Sequence, residues 1–155
     1  MSTPSQTFDA HLPAFKEVQE APWGRLRYTI AAANLGKYHP HNPLNILDLG
    51  GGNGLDAIPL ARQGHRVTLL DYAPEMLAEG RKNAEEQGVA HLLTFHQANV
   101  TALPTLFPSP QFDLLLCHNV IQYLENPPQA LQAMFATLLP GGLISLISIN
   151  RYSET

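Results

Sequence analysis

Short apolar runs alternate with amphipathic stretches from Leu44 to near the end of the chain. The apolar runs are rich in leucine, isoleucine and valine, as in strands that are buried on both faces of a sheet. Their alternation with helical patterns is typical of βαβ units and predicts an α/β fold with a parallel sheet. The predicted strands are Leu44–Leu49, Arg66–Asp71, Leu92–Gln97, Phe112–Cys117 and Leu143–Ile149.

The stretches between these runs predict helices. The predicted helices are Leu55–Gln63, Pro74–Gln87 and Pro128–Leu139. Pro59 is tolerated only in a first helical turn, and Pro74 suits such a turn because its missing N–H would be unpaired there. Residues 99–111 are expected to form a loop, and residues 140–142 a turn before the last strand.

The first part of the chain has a different composition. Residues 1–43 carry prolines and polar residues, and we expect them to form a helical and loop segment that precedes a domain over residues 44–155. One helix is predicted within this segment, at Leu26–Leu35. Its apolar stripe is expected to consist of Leu26, Ile30 and Ala33.

Composition narrows the class of protein. The chain has 155 residues and a net charge of -4, which fits one core and shows no block of like charge that would indicate a polyanion partner. A lone cysteine, Cys117, suits a reducing compartment. The stretch MSTPSQTFDA lacks the features of a signal peptide, and no apolar run reaches the roughly 20 residues of a membrane span. We therefore expect a cytoplasmic protein without membrane contact.

The residues from Asn45 to Gly54 carry the strongest functional signal. An apolar strand ends in Asp48-Leu49-Gly50-Gly51-Gly52-Asn53-Gly54, and a helix follows. Glycines let the backbone turn sharply and approach a ligand, and the helix N-terminus offers free N–H groups. The stretch Gly52–Ala57 also fits the G-x-G-x-x-G/A pattern of dinucleotide-binding proteins, so a nicotinamide cofactor stays open at this point.

Asp71 is the second candidate. It ends the second predicted strand and lies 17 residues after Gly54 in the sequence. A carboxylate in that place of a βαβ unit can accept both ribose hydroxyls of an adenosine. The alternative is a cap for the helix that begins at Pro74.

Two further segments lie outside the dinucleotide pattern. They are Phe112–His118 and Leu138-Leu139-Pro140-Gly141-Gly142-Leu143-Ile144. Together with the glycine loop and Asp71-Tyr72-Ala73-Pro74-Glu75-Met76, they resemble the class I methyltransferases that use S-adenosylmethionine (SAM). The resemblance covers about residues 44–149. It implies a Rossmann-like doubly wound sheet with strand order 3-2-1-4-5.

The resemblance also implies roles for single residues. Gly50 and Gly52 would lie behind the methionine part of SAM, Asp71 would hold the ribose, and Tyr72 and Met76 would border the adenine. The other cofactor-site residues that it implies are Asp48, which organises the loop from below, Gly51, Asn53, Gly54, Ala98, Asn99, Val100, Cys117 and His118. Asn99 stands where the family usually has an aspartate, so its contact with the adenine amino group would be weaker.

A narrower likeness concerns the acceptor of the methyl group. Four segments are similar to the bacterial enzymes that methylate the carboxylate of 5-carboxymethoxyuridine at the tRNA wobble position. They are Gly24-Arg25-Leu26-Arg27, Gly50-Gly51-Gly52, the segment from His118 to Pro127 and the strand Ser145–Asn150. The likeness implies that Arg27 clamps the cofactor's carboxylate, with a solvated helix face as the alternative, and that tRNA is a partner. Since residues 44–155 have few basic side chains, any tRNA contact is expected from Trp23, Arg25 and Arg27, or from residues beyond the chain.

The chemistry of the acceptor decides whether a base is needed. His118 is the candidate catalytic base, with acceptor orientation or simple packing as its other roles. The histidines at positions 39 and 41 have no thiol or acid cluster beside them, so no metal site is expected. The rival functions are a NAD-dependent oxidoreductase and a SAM-binding module without activity.

The complete fold of this family adds two strands after the fifth. The resemblance therefore implies that the domain is C-terminally incomplete, as a truncated form or a natural remnant. The fifth strand would then be an edge, and Leu143–Ile149 carries neither charge nor proline to protect it. We expect the chain to self-associate through this strand, or the N-terminal segment to shield it.

Overall fold

The computed structural model describes residues 17, 21–38 and 43–149. The chain divides into two compact units, residues 1–42 and residues 43–155, and each is described by itself. In the described part of the first unit the main element is helix α1, Pro22–Leu35.

The second unit is built on a five-stranded parallel sheet in the order β3-β2-β1-β4-β5. The strands are β1 (Asn45–Leu49), β2 (Arg66–Asp71), β3 (Leu93–Gln97), β4 (Phe112–His118) and β5 (Leu138–Ile147). The predicted fold class and strand order are confirmed. The order reverses between β1 and β4, and ligands of open α/β sheets bind at such a point, outside the carboxyl ends of the strands.

Four helices connect the strands. They are α2 (Ala57–Arg62), α3 (Pro74–Glu86), α4 (Leu103–Leu106) and α5 (Pro127–Ala136), with 3₁₀ turns at Ala90–Leu92, Val100–Ala102 and Ile121–Tyr123. Pro59 falls in the first turn of α2 and Pro74 begins α3, as the missing N–H of proline requires. The prediction of a plain loop over residues 99–111 is wrong. The Asn99 side chain accepts from the N–H of Thr101 and so starts a 3₁₀ turn that continues into α4.

The predicted turn at residues 140–142 lies within β5 rather than before it. Helix α5 ends at Ala136, and β5 begins already at Leu138, which pairs with Phe112. The ladder then skips, because the next pair joins Leu143 to Leu114. The segment between the two pairs is a bulge, and the positive φ of 79° at Gly141 permits it.

The apolar stripe predicted for α1 is wrong. Leu26 and Ile30 are exposed by 57% and 51%, and Ala33 is exposed as well. Ala31 and Leu35 are buried instead. The prediction assigned the largest side chains to the buried face of the helix. The buried face of α1 consists instead of small residues and one leucine.

Strand β5 forms one edge of the sheet as far as the chain is described. Three leucines are exposed along it by 36% to 48%, Leu139, Leu143 and Leu146, and Ile149 just beyond its end is exposed by 51%. Self-association through this edge stays a prediction, supported by the exposed apolar side chains of the strand. Within the described residues, no helix is long and apolar enough to cross a membrane.

Candidate functional site

The candidate site begins with the glycine loop after β1. Gly50, Gly52 and Gly54 adopt positive φ values of 65°, 54° and 86°, in which the backbone folds back on itself. At Gly52 a Cβ atom would also lie 2.7 Å from the Cε of Met76. The positive φ therefore disfavours a side chain at Gly52, whereas the Met76 methyl is the end of a flexible side chain and can move. The loop places a bare backbone at the sheet's switch point.

Asp71 holds this loop from the neighbouring strand. Its Oδ2 accepts from the N–H of Gly52 at 2.9 Å, and its Oδ1 accepts from the N–H of Ala73 at 2.9 Å. Burial raises the pKa of Asp71 above its usual value, although the backbone donors partly oppose that shift. Each carboxylate oxygen can still accept a second hydrogen bond. Asp71 thus braces the loop and retains acceptors for a ligand.

Asp48 lies beneath the loop. It is buried, and its Oδ2 has no hydrogen-bond partner. Burial, followed by the charges of Asp56 and Asp71, holds the pKa of Asp48 well above its usual range. A Cβ at Gly51 would lie 2.5 Å from this Oδ2, so the carboxyl fills the space under the loop.

Asp48→Asn is expected to flatten the pH dependence of stability. A folded-state pKa above the unfolded value means that the folded form binds its proton more tightly. The free energy of unfolding therefore falls as pH rises above the unfolded pKa and towards the folded one. Urea denaturation at a series of pH values upward from about pH 4, the ordinary pKa of an aspartate, should give a smaller loss of stability for the variant than for the unaltered chain. An equal loss in both would contradict the assignment, and Glu125→Gln, at an exposed carboxyl, is the control.

His118 ends β4 with both ring nitrogens engaged. Its Nδ1 lies 2.9 Å from Oδ2 of Asp56, and its Nε2 lies 2.8 Å from Oγ of Ser145. The side chain is only 5% exposed. The structure therefore adds two partners, Asp56 and Ser145, to the candidate base predicted from the sequence.

Cys117 precedes His118 and points to the opposite face of the sheet. It is fully buried, and burial raises the pKa of its thiol to about 11. A thiol that stays protonated at neutral pH is a poor nucleophile. Cys117 therefore packs in the core on this face of the sheet.

The remaining residues predicted for the cofactor site differ in their contacts and burial. Ala98 donates its N–H to the carbonyl of Asp71, and Val100 is buried in the core beside β4. The side-chain oxygen of Asn99 already accepts from Thr101, so an adenine contact would use its second lone pair. Tyr72 is half-buried next to Asp71. Arg27 lies on α1 in the other unit, so its predicted role stays a prediction.

Sequence reasoning missed two residues that support the loop from α3. A Cβ at Gly80 would lie 2.9 Å from the carbonyl oxygen of Gly52, so only glycine lets the helix approach this closely. Asn83, one turn later, donates its side-chain N–H to the carbonyl of Asn53. A glycine inside a good helical pattern is the signal that could have indicated this contact.

A methyltransferase-domain family model matches residues 47–146. The chain belongs to the SAM-dependent methyltransferases. The tRNA 5-carboxymethoxyuridine methyltransferase of Escherichia coli K12 is 34% identical over 109 residues, which cover 70% of this chain and 41% of that protein. The ubiquinone biosynthesis O-methyltransferase of Sodalis glossinidius is 34% identical over 107 residues, covering 69% of this chain and 42% of that protein. The chain thus spans less than half the length of these relatives.

A solved structure extends the match to the cofactor. A SAM-dependent methyltransferase from Geobacter sulfurreducens, in complex with S-adenosylhomocysteine, superposes with a TM-score of 0.60 at 26% identity, over 75% of this chain and 44% of that one. The family decides between the two cofactors that the glycine loop left open, and SAM is the cofactor. The described residues contain no group of three or more metal-ligating side chains.

The site's own geometry fits this cofactor. The glycine loop is bare of side chains where a ligand must approach, and Asp71 beside it has spare acceptor capacity for ribose hydroxyls.

Proposed function

We propose that this chain transfers a methyl group from SAM to the carboxylate of a modified wobble uridine in tRNA. The observation that carries the transfer is the braced glycine loop with Asp71 at the switch point of a methyltransferase sheet. The acceptor is supported by the likeness at residues 50–52, 118–127 and 145–150 and by the Escherichia coli relative, whose name contains that nucleoside.

The chain needs to do little covalent chemistry in such a reaction. When bound, SAM supplies a methyl group that its sulfonium already activates. Asp71 would accept from the ribose hydroxyls, and the loop backbone would line the methionine part. A carboxylate is already anionic at neutral pH, so no residue has to remove a proton from it. Orientation of the acceptor and exclusion of water are what the protein contributes.

Contact with tRNA is proposed for the N-terminal unit. Helix α1 carries Trp23, Arg25 and Arg27 within about one turn of each other. The chain has an overall charge of -4, so binding of the negatively charged tRNA requires a local patch of basic side chains. Phosphate contacts release counterions, so the affinity for tRNA should fall steeply with salt concentration.

The test is methylation of tRNA with isotopically labelled SAM. Mass spectrometry of the digested nucleosides should detect a methyl ester on 5-carboxymethoxyuridine, and none with tRNA from a strain that lacks this modification. Label transfer to other acceptors but not to this nucleoside would refute the proposed acceptor. A chain that binds S-adenosylhomocysteine and transfers no label at all would instead be a binding module.

A further inference from the structure

Three carboxyl groups lie at the glycine loop, those of Asp48, Asp56 and Asp71. In the parallel ladder Asp48 pairs with Leu69 of β2, and Asp71 stands two residues after Leu69. Side chains two residues apart in a strand share a face, so Asp48 and Asp71 are on the same face of the sheet. Asp56 follows the last glycine of the loop by two residues. After burial, its charge is the next cause that raises the pKa of Asp48, ahead of the charge of Asp71.

The three carboxyl groups differ in their hydrogen-bond partners. Asp71 accepts two backbone N–H groups, one with each oxygen. Asp56 lies against an imidazole, since Nδ1 of His118 is 2.9 Å from its Oδ2. Asp48 is only 1% exposed, and its Oδ2 has no partner among the described residues. Of the three groups, Asp48 is therefore the one whose negative charge is least compensated by its surroundings.

A proton on Asp48 relieves this lack of compensation. Carboxylates that lie close together in a buried place repel each other, and protonation of one of them removes the repulsion. Burial, followed by the charges of Asp56 and Asp71, holds the pKa of Asp48 well above its usual range. The free chain therefore keeps a proton on Asp48 to a higher pH than an ordinary aspartate does. A positive charge brought to the loop would act against that proton.

The cofactor and its product differ by such a charge. SAM carries a sulfonium, whereas S-adenosylhomocysteine has a neutral thioether in its place, and the amino and carboxylate groups are common to both. The Oδ2 of Asp48 lies 2.5 Å from where a Cβ of Gly51 would be, in the middle of the loop. Unit charges act beyond contact distance. At about 7 Å and an effective dielectric constant of about 20, they change an ionisation equilibrium by more than about 10-fold.

We propose that Asp48 responds to the charge of the cofactor, releasing its proton to water when SAM binds and taking a proton back when the neutral product stands in its place. This assignment needs SAM bound at the glycine loop, whereas the identity of the methyl acceptor does not enter. The ionised Asp48 attracts the sulfonium and gains nothing from the thioether, so it favours SAM over the product. Because the SAM complex holds fewer protons than the free chain, the affinity for SAM rises with pH relative to the affinity for the product.

The first test counts protons. Calorimetric titration in two buffers with different ionisation enthalpies gives the number of protons released on binding. We expect SAM to release up to about one proton per chain and S-adenosylhomocysteine to release fewer. Asp48→Asn should abolish the difference between the two ligands. Asp113→Asn is the matched control, because Asp113 also accepts a backbone N–H but lies at the amino end of the strands, and it should keep the difference.

The second test measures the ratio of the affinities for SAM and S-adenosylhomocysteine at a series of pH values upward from about pH 4, the ordinary pKa of an aspartate. In the unaltered chain this ratio should rise by about 10-fold as Asp48 loses its proton. Asp56, Asp71, His118 and the amino groups of the ligands also titrate, but all of them are still present with Asp48→Asn. The part of the rise that this variant loses therefore reports Asp48.

The third test needs no substitution. Carbon-13 NMR of chains labelled at the aspartate carboxyl groups distinguishes a protonated carboxyl from an ionised one. At one mildly acidic pH, we expect Asp48 to be protonated in the free chain and in the complex with S-adenosylhomocysteine, and ionised in the complex with SAM. The result stands even if Asp48→Asn does not fold.

The outcomes separate this inference from the proposed function. Equal proton release by the two ligands, or a difference that persists in Asp48→Asn, would overturn the role of Asp48 and leave methyl transfer from SAM standing. An Asp48 that keeps the same protonation state in both complexes would overturn it as well. Binding of neither ligand would contradict both the role of Asp48 and the SAM site on which the proposed function depends.

Discussion

Asp71→Ala is expected to weaken binding of S-adenosylhomocysteine by about 10- to 150-fold, or about 1.5–3 kcal/mol, the range for a hydrogen bond to a charged group. The carboxylate acts in two ways, since it would accept from the ribose and already holds the N–H of Gly52 in place. Its loss removes the ligand contact and loosens the loop together. Isothermal titration calorimetry measures the change directly.

Asp113→Ala is the matched control for that experiment. Asp113 also accepts a backbone N–H, that of Asn45, at 2.8 Å, but it lies at the amino end of the strands, away from the switch point. It should cost stability without loss of affinity. Equal affinity of the Asp71 variant and the unaltered chain would contradict the assignment of Asp71.

Gly51→Ala is expected to lower the free energy of unfolding by about 3 kcal/mol, at the upper end of the usual range for overpacking. The new Cβ would lie 2.5 Å from Oδ2 and 2.7 Å from Cγ of Asp48, and 2.8 Å from Cγ of Leu69. Both side chains are buried, so neither can move away cheaply. The displaced loop should also bind S-adenosylhomocysteine less tightly.

Chemical denaturation followed by ligand titration checks both effects. Gly36→Ala is the control, because its Cβ would make only ordinary contacts at 3.5 Å or more, and should change stability by no more than about 0.5 kcal/mol. A Gly51 variant that is as stable as the control would show that the loop does not depend on the close contact with Asp48.

The strands could be predicted from the sequence because each is a short apolar run bounded by glycine, proline or a polar residue, whereas their order followed only from the resemblance to the class I methyltransferases. β2 matches its predicted bounds, and the other strands differ mainly at their ends. The bulge in β5 was not predictable in this way. Pro140-Gly141-Gly142 reads locally as a turn, and only pairing with β4 draws Leu138 into the strand.

The same distinction applies to the candidate site, where residues near strand ends were predictable and contacts between residues distant in sequence were not. Gly50, Gly52 and Asp71 were predictable because they are close in sequence to the ends of β1 and β2. Asp56 and Ser145 were not, because their contacts with His118 join residues 62 and 27 positions apart. The register of β4 against β5 sets the contact with Ser145, and a single sequence contains no direct record of that register.

We infer that the loop from Gly50 to Gly54, with Asp71, is a SAM site. Calorimetric titration of this chain with S-adenosylhomocysteine and, separately, with NADH tests it most directly, because the glycine pattern alone fits both cofactors. We expect saturable binding of S-adenosylhomocysteine to one site and no detectable binding of NADH. Saturable binding of NADH, or no heat from S-adenosylhomocysteine, would contradict it.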